Sequence, residues 1–258
     1  MVGIGFLLLL SGIICIAFGA ESSGNLWTAL SGAFQGRFTT GALYFLAGVV
    51  CVILCAIFVV IGVRQIKKLK AADKPLYSSQ MLAEGGIMIA AAMVLGFLKI
   101  FELPQGGSVC LGMLPILFFC VRWGLDGGML CSIAYGLLQL IFDGAYAWGW
   151  TSMLLDYVVA FGVLGFAGLF ARKRGGIFAG TVLGCVLRFI VHFISGITIY
   201  RIYEPVELFN TTFANPYLYS AAYNGSYVFI DMVLCLVIFA VLYKPLQKYF
   251  LGRDLEQQ

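Results

Sequence analysis

The sequence predicts an all-α, polytopic membrane protein: a six-helix bundle preceded by two further transmembrane helices. Three observations carry that prediction. Charged residues are 11% of the 258, against roughly 25% in ordinary soluble domains, while hydrophobic residues reach 62%. The apolar residues fall into eight runs, most of them near the ~20 residues that cross a bilayer. One polar, basic stretch separates the first two runs from the other six. So few charges cannot cover a soluble surface, and so apolar a chain does not stay disordered. A basic nucleic-acid binder is excluded too, because the net charge is only +4 and the basic residues are scattered between apolar runs.

Span 1 covers about Val2–Ala20 and carries no charge. It lacks the basic n-region of a signal peptide, so it reads as a retained helix. Span 2 covers about Gly41–Val63 and runs into Arg64, Lys67, Lys68, Lys70 and Lys74. Residues 1–66 thus form a two-helix extension, 67–80 a basic linker, and 81–258 a six-helix bundle with a short tail. Span 3, about Gly85–Phe101, ends in the turn LPQGG. Span 4, about Val109–Val121, meets span 5, about Gly127–Phe142, through a tight connection marked by Arg122, Trp123 and Gly124. The loop DGAYAWGW leads to span 6, about Ser152–Phe170, closed by Arg172, Lys173 and Arg174. Span 7 is about Ile177–Tyr200. A long polar loop from Arg201 to Pro216 precedes span 8, about Tyr219–Tyr243.

Charge sets the expected orientation. With the N-terminus inside, the inner loops and tail hold twelve basic residues: Arg64, Lys67, Lys68, Lys70, Lys74, Arg122, Arg172, Lys173, Arg174, Lys244, Lys248 and Arg253. The outer loops hold Arg37 and Arg201. The positive-inside rule selects a cell-membrane protein with both termini cytoplasmic. The loops LPQGG, DGAYAWGW and 201–218 then face outward.

The eight cysteines lie inside apolar runs, no CxxC occurs, and there is one histidine. A zinc site or redox pair is not expected, nor any cofactor; the cysteines read as small apolar residues at helix contacts. No Walker A run occurs, so ATP hydrolysis would have to come from another chain.

Polar residues inside spans are costly and mark function. Asp156 and Tyr157 open span 6. Arg188 and His192 lie four apart on one face of span 7. At 1.5 Å per residue His192 lies roughly 12 Å below Tyr200. Tyr219 and Asn224 begin span 8 at that outer level, and Tyr146, Trp148 and Trp150 hang in the loop above. A carboxylate among aromatic faces suits a flat, cationic, nitrogen-containing ligand, since cation–π attraction adds about 0.5–2 kcal/mol per ring. Singly, each aromatic is more often part of an interfacial belt than of a site, and Asp156 also fits a helix cap. Deeper in the membrane, Arg188 and Asp231 are expected to pair, because an isolated charge there is costly.

From about Met81 to Lys244 the chain resembles the thiamine-specific substrate-binding component of energy-coupling-factor vitamin transporters. The runs that carry the resemblance are LPQGGSVCLGMLPI at 103–116, RWG at 122–124, YGLLQL at 135–140, LLDYVVAFGVLGFAGLF at 154–170, RFIVHFISGITIY at 188–200 and PYLYSAAYNG at 216–225. The resemblance implies a six-helix S-component that binds thiamine from outside and does no chemistry itself. It implies docking on a transmembrane coupling protein with two cytoplasmic ATPases, the first bundle helix making the contact. Residue by residue, the implied thiamine ligands are Tyr146, Asp156, Tyr157, His192, Tyr200, Tyr219 and Asn224. The family pattern has Glu at the place of Asp156, Trp at Tyr200 and a loop Trp near Gly106.

The rival readings are the same architecture for another small vitamin or pyrimidine precursor, an intramembrane enzyme using Asp156 and His192 as acid and base, and a structural protein. The enzyme would need a partner within hydrogen-bond reach of His192. The pairs Gly86/Ala90 and Ala92/Gly96 of span 3 suit either docking or packing inside the bundle.

Overall fold

A computed structural model describes residues 77–103, 106–143, 153–198 and 206–255; spans 1 and 2 lie outside them. Tyr77–Gln258 is one compact unit. Among the described residues, five long helices are each apolar enough to cross a membrane.

Helix α1, Ser79–Phe97, starts at Ser78, whose hydroxyl accepts the Met81 N–H at 3.1 Å and satisfies an orphan donor of the first turn. Ala92 and Gly96 are buried against the next helix, while Gly86 and Ala90 face outward. The two small-residue pairs of span 3 therefore divide between packing and an open face. A short antiparallel hairpin follows, β1 (Phe101–Glu102) with β2 (Ser108–Val109). The fourth apolar run accordingly begins its helix at Met113, four residues later than hydropathy placed it.

Helix α2, Met113–Asp143, is two limbs meeting at Gly124, whose φ of 84° only glycine adopts without strain. The limbs fold back on each other: Cys120 Sγ lies 3.5 Å from Ser132 Oγ, although twelve residues separate them. The predicted tight connection at Arg122-Trp-Gly is this reversal, and with both limbs counted the described residues hold six long helical segments. Arg122, expected in an exposed inner loop, is instead buried at 4% exposure.

Helix α3, Met153–Phe170, begins with π-helical turns over Met153–Val159, passes through one α turn, and ends tightly wound over Val163–Phe170. It packs along α2. Helix α4, Gly176–Thr198, buries Thr181, Cys185, Arg188, His192 and Ser195. Those spacings of four and three form one stripe, which turns Arg188 and His192 the same way.

The polar segment before the last helix carries a second hairpin, β3 (Val206–Leu208) with β4 (Thr211–Phe213). Its two-residue turn holds Phe209 and Asn210 at φ of 50° and 58°. The sequence shows only a loop there, because three-residue strands lie below the length at which alternation is legible. Helix α5, Pro216–Phe250, has Pro216 in its first turn, and the Asn215 side chain accepts the Tyr217 N–H at 2.8 Å. It continues seven residues past the predicted end of span 8, through Pro245. Of the cysteines among the described residues, Cys120, Cys131, Cys185 and Cys235 are buried and unbridged, as expected of helix contacts.

Candidate substrate-binding site

One cavity gathers residues from α1, α2, α3, α4, α5 and the first hairpin. Five of the seven implied thiamine ligands line it, Asp156, Tyr157, His192, Tyr219 and Asn224, as does Arg188. Tyr146 and Tyr200 lie outside the described residues.

Asp156 and Tyr157 sit in the π-helical opening of α3, a widened helix often found at functional sites. Asp156 Oδ1 is 3.3 Å from His192 Nδ1. The other ring nitrogen, Nε2, accepts the Arg188 Nε–H at 3.3 Å. A nitrogen that accepts carries no proton, so the ring is neutral and its hydrogen is on Nδ1, pointed at Asp156.

Arg188 and Asp231 face each other as their depths predicted, with Nη1 3.9 Å from Oδ2. Asp231 is fully buried. Its Oδ1 accepts the Cys110 N–H at 2.9 Å, just after β2, and its Oδ2 has no hydrogen-bond partner among the described residues. The Arg188 guanidinium also lies over the Phe161 ring, 4.4 Å from its centre.

Asn224 is largely engaged with the protein. Its Nδ2 donates to the carbonyls of His192 at 3.2 Å and Ser220 at 3.0 Å, and its Oδ1 accepts the Tyr227 hydroxyl at 3.0 Å. It joins α4 to α5, and what it can still offer a ligand is a lone pair on Oδ1. The helices approach closely because residue 196 is glycine: a Cβ there would lie 3.0 Å from Ser220 Cβ and would run into its hydroxyl.

The aromatic wall is larger than the sequence reading made it. Tyr219 stacks on Tyr223 at 5.9 Å, and Tyr223 meets Tyr227 edge-on at 6.0 Å. The Tyr223 hydroxyl accepts the Gly107 N–H at 3.1 Å, which ties the first hairpin to α5. A Cβ on Gly107 would lie 2.8 Å from the Tyr227 ring. Sequence reasoning named Tyr219 alone, although the four-residue spacing of the three tyrosines was a usable signal. Tyr135, Gln139 and Phe161, which also line the cavity, gave no such signal.

His192 thus has two partners in reach, and geometry alone does not dismiss acid–base chemistry. The comparisons decide. A family profile described as "Thiamine transporter protein (Thia_YuaJ)" matches residues 82–251. The chain belongs to the thiamine transporter protein family. It is 30% identical over 177 residues to the thiamine transporter ThiT of Bacillus subtilis, covering 63% of this chain and 89% of that protein. It is 27% identical over 193 residues to ThiT of Lacticaseibacillus paracasei, with 67% and 92% covered. In three dimensions it is similar to ThiT from Listeria monocytogenes, with a TM-score of 0.58, 23% identity, and 66% and 96% coverage. At that identity the structural likeness speaks for the fold. This member of the thiamine transporter family is therefore a multi-pass membrane transport protein rather than an enzyme.

Proposed function

We propose that the chain is the thiamine-binding S-component of an energy-coupling-factor importer, with Asp156, Tyr157, His192, Tyr219 and Asn224 in the site and Tyr146 and Tyr200 completing it. One observation carries the reading: a cavity that brings together a carboxylate, a neutral imidazole and stacked tyrosines. Thiamine presents a flat aminopyrimidine for hydrogen bonding and a permanent cation for the carboxylate and ring faces.

The ligand enters from the outer face, as the basic-residue asymmetry orients the chain, and both termini are cytoplasmic. The outward Gly86/Ala90 face of α1 meets a transmembrane coupling protein, and two cytoplasmic ATPases on that module drive release inward. Residues 1–66 are a two-helix N-terminal extension, joined through the basic linker 67–80, and are dispensable for binding. Asp156 is one methylene shorter than the family's Glu, which moves its charge back from the ligand.

The test is titration calorimetry on the purified chain without ATP or partners. Thiamine should bind one to one. Absence of thiamine binding, with riboflavin or biotin bound instead, refutes the vitamin assignment.

A further inference from the structure

Two charged side chains line the cavity among the described residues, Asp156 and Arg188. His192 adds no charge, because its Nε2 accepts from Arg188. By themselves these wall charges cancel, and a wall of zero net charge gives a cation no advantage. Asp231 changes the sum. It stands behind the wall, fully buried, with its Oδ2 3.9 Å from Arg188 Nη1. The Cys110 N–H fixes its other oxygen, so the carboxylate cannot turn away. Arg188 is held in turn over the Phe161 face and against His192.

We infer that Asp231 is a specificity-determining residue: as counter-ion to Arg188, it leaves the cavity one net negative charge and so selects a cationic ligand. This rests on the thiamine-binding reading and adds a residue to it. Asp231 touches no ligand. It positions and neutralises Arg188, which without it would place an uncompensated positive charge one imidazole ring away from Asp156. A buried carboxylate with no hydrogen bond to Oδ2 is costly, and compensation of Arg188 accounts for its presence.

The experiment compares thiamine with 3-deazathiamine, a neutral isostere of the same shape, by calorimetry on the full chain. The wild-type protein should prefer thiamine. Asp231→Asn keeps the acceptor for Cys110 and removes the charge. It should cut the preference for thiamine about tenfold, the scale of one unit charge roughly 12 Å away acting through an effective dielectric of roughly 20, with little effect on the neutral isostere. The double variant R188Q/D231N again leaves Asp156 as the one charge on the wall and should regain the preference. A structural role for Asp231 would weaken both ligands alike. Equal losses, no loss, or a double variant as deficient as the single one overturns the inference while leaving thiamine binding intact. If Asp231→Asn alone does not fold, the double variant decides: retained preference supports the counter-ion role, and lost preference overturns it. A wild-type chain that binds no thiamine removes both readings.

Discussion

Two buried arginines stand in different parts of the bundle, and they are treated differently. Arg122, at the α2 reversal, is 4% exposed; Arg188, beside the cavity, is 7% exposed. Arg122 makes hydrogen bonds with all five of its N–H groups. Glu84 takes Nε and Nη2 at 2.7 and 3.0 Å, Asp254 takes Nη1 and Nη2 at 2.8 and 2.7 Å, and the Tyr249 carbonyl lies 3.5 Å from Nη1. Trp123 Nε1 also donates to Glu84 at 2.7 Å, and the Arg122 guanidinium lies over the Tyr249 ring. Among the described residues Arg188 makes one hydrogen bond, at 3.3 Å, and a looser ion pair at 3.9 Å.

The difference separates a strut from a site. A saturated network has nothing left to offer, and it ties α1, the α2 reversal and the segment after α5 into one unit. An unsaturated network beside a cavity retains donors and field for a ligand. Burial of a charge in a membrane protein marks importance in both places; hydrogen-bond saturation tells which kind.

The contrast can be broken by mutation, and the largest effect should come at the strut. Arg122→Met leaves two carboxylates without their partner. With each still partly exposed, it should cost about 2–3 kcal/mol of stability. Thermal denaturation in detergent would register the loss, while the folded fraction should bind thiamine as before. A loss of affinity at unchanged stability would erase the distinction between the two places.

At the cavity the pattern should invert. Asp156→Asn should weaken thiamine binding by about 1.5–2 kcal/mol, the scale of a charged hydrogen bond, with a melting temperature close to wild type. Calorimetry and a melting curve on the same preparation compare the two directly. Next in size, Gly196→Ala forces a methyl against Ser220 and should cost about 1–2 kcal/mol of stability by overpacking. Because Asn224 bridges there to the His192 carbonyl, this variant should lower affinity as well as stability. It is the one substitution here that moves both readouts.

The smallest effect is a pH dependence at the strut. The Arg122 guanidinium holds the Asp254 carboxyl below its ordinary value of 3.8. A lowered value in the folded state means that the contribution is fully present above 3.8 and is lost as the pH falls through the folded value. The stability difference between wild type and Asp254→Asn should therefore be constant between pH 7 and 5 and shrink only below 3.8. A difference that vanishes near neutral pH would show that the pair does not hold the chain segment in place.

Much of both regions was legible in the sequence, but for different reasons. Helical periodicity put Arg188 and His192 on one face, and depth counting brought His192, Asp156, Tyr219 and Asn224 into one outward-facing region. The same counting matched Arg188 with Asp231. Arg122 was misread as a loop cation, because charge rules treat a basic residue between spans as solvated. Its partners, Glu84 and Asp254, lie 38 residues before it and 132 after it, and no local pattern links them. Tyr223 and Tyr227 were visible as a four-residue series, yet their use required knowing which face of α5 turns inward.

By itself, then, the sequence determined the solvent of this protein, its helical segments, and the set of polar residues that have to find partners inside the bundle. Those follow from hydropathy, helical period and the cost of buried charge, all of which act locally along the chain. Only the tertiary structure decided how the partners are shared: that Asn224 spends most of its amide on the helix contact, that His192 carries its proton on Nδ1, and that Asp231 reaches back to the hairpin at Cys110. Hydrogen bonds are directional and are made between segments far apart in the chain, so their allocation exists only once the helices have packed.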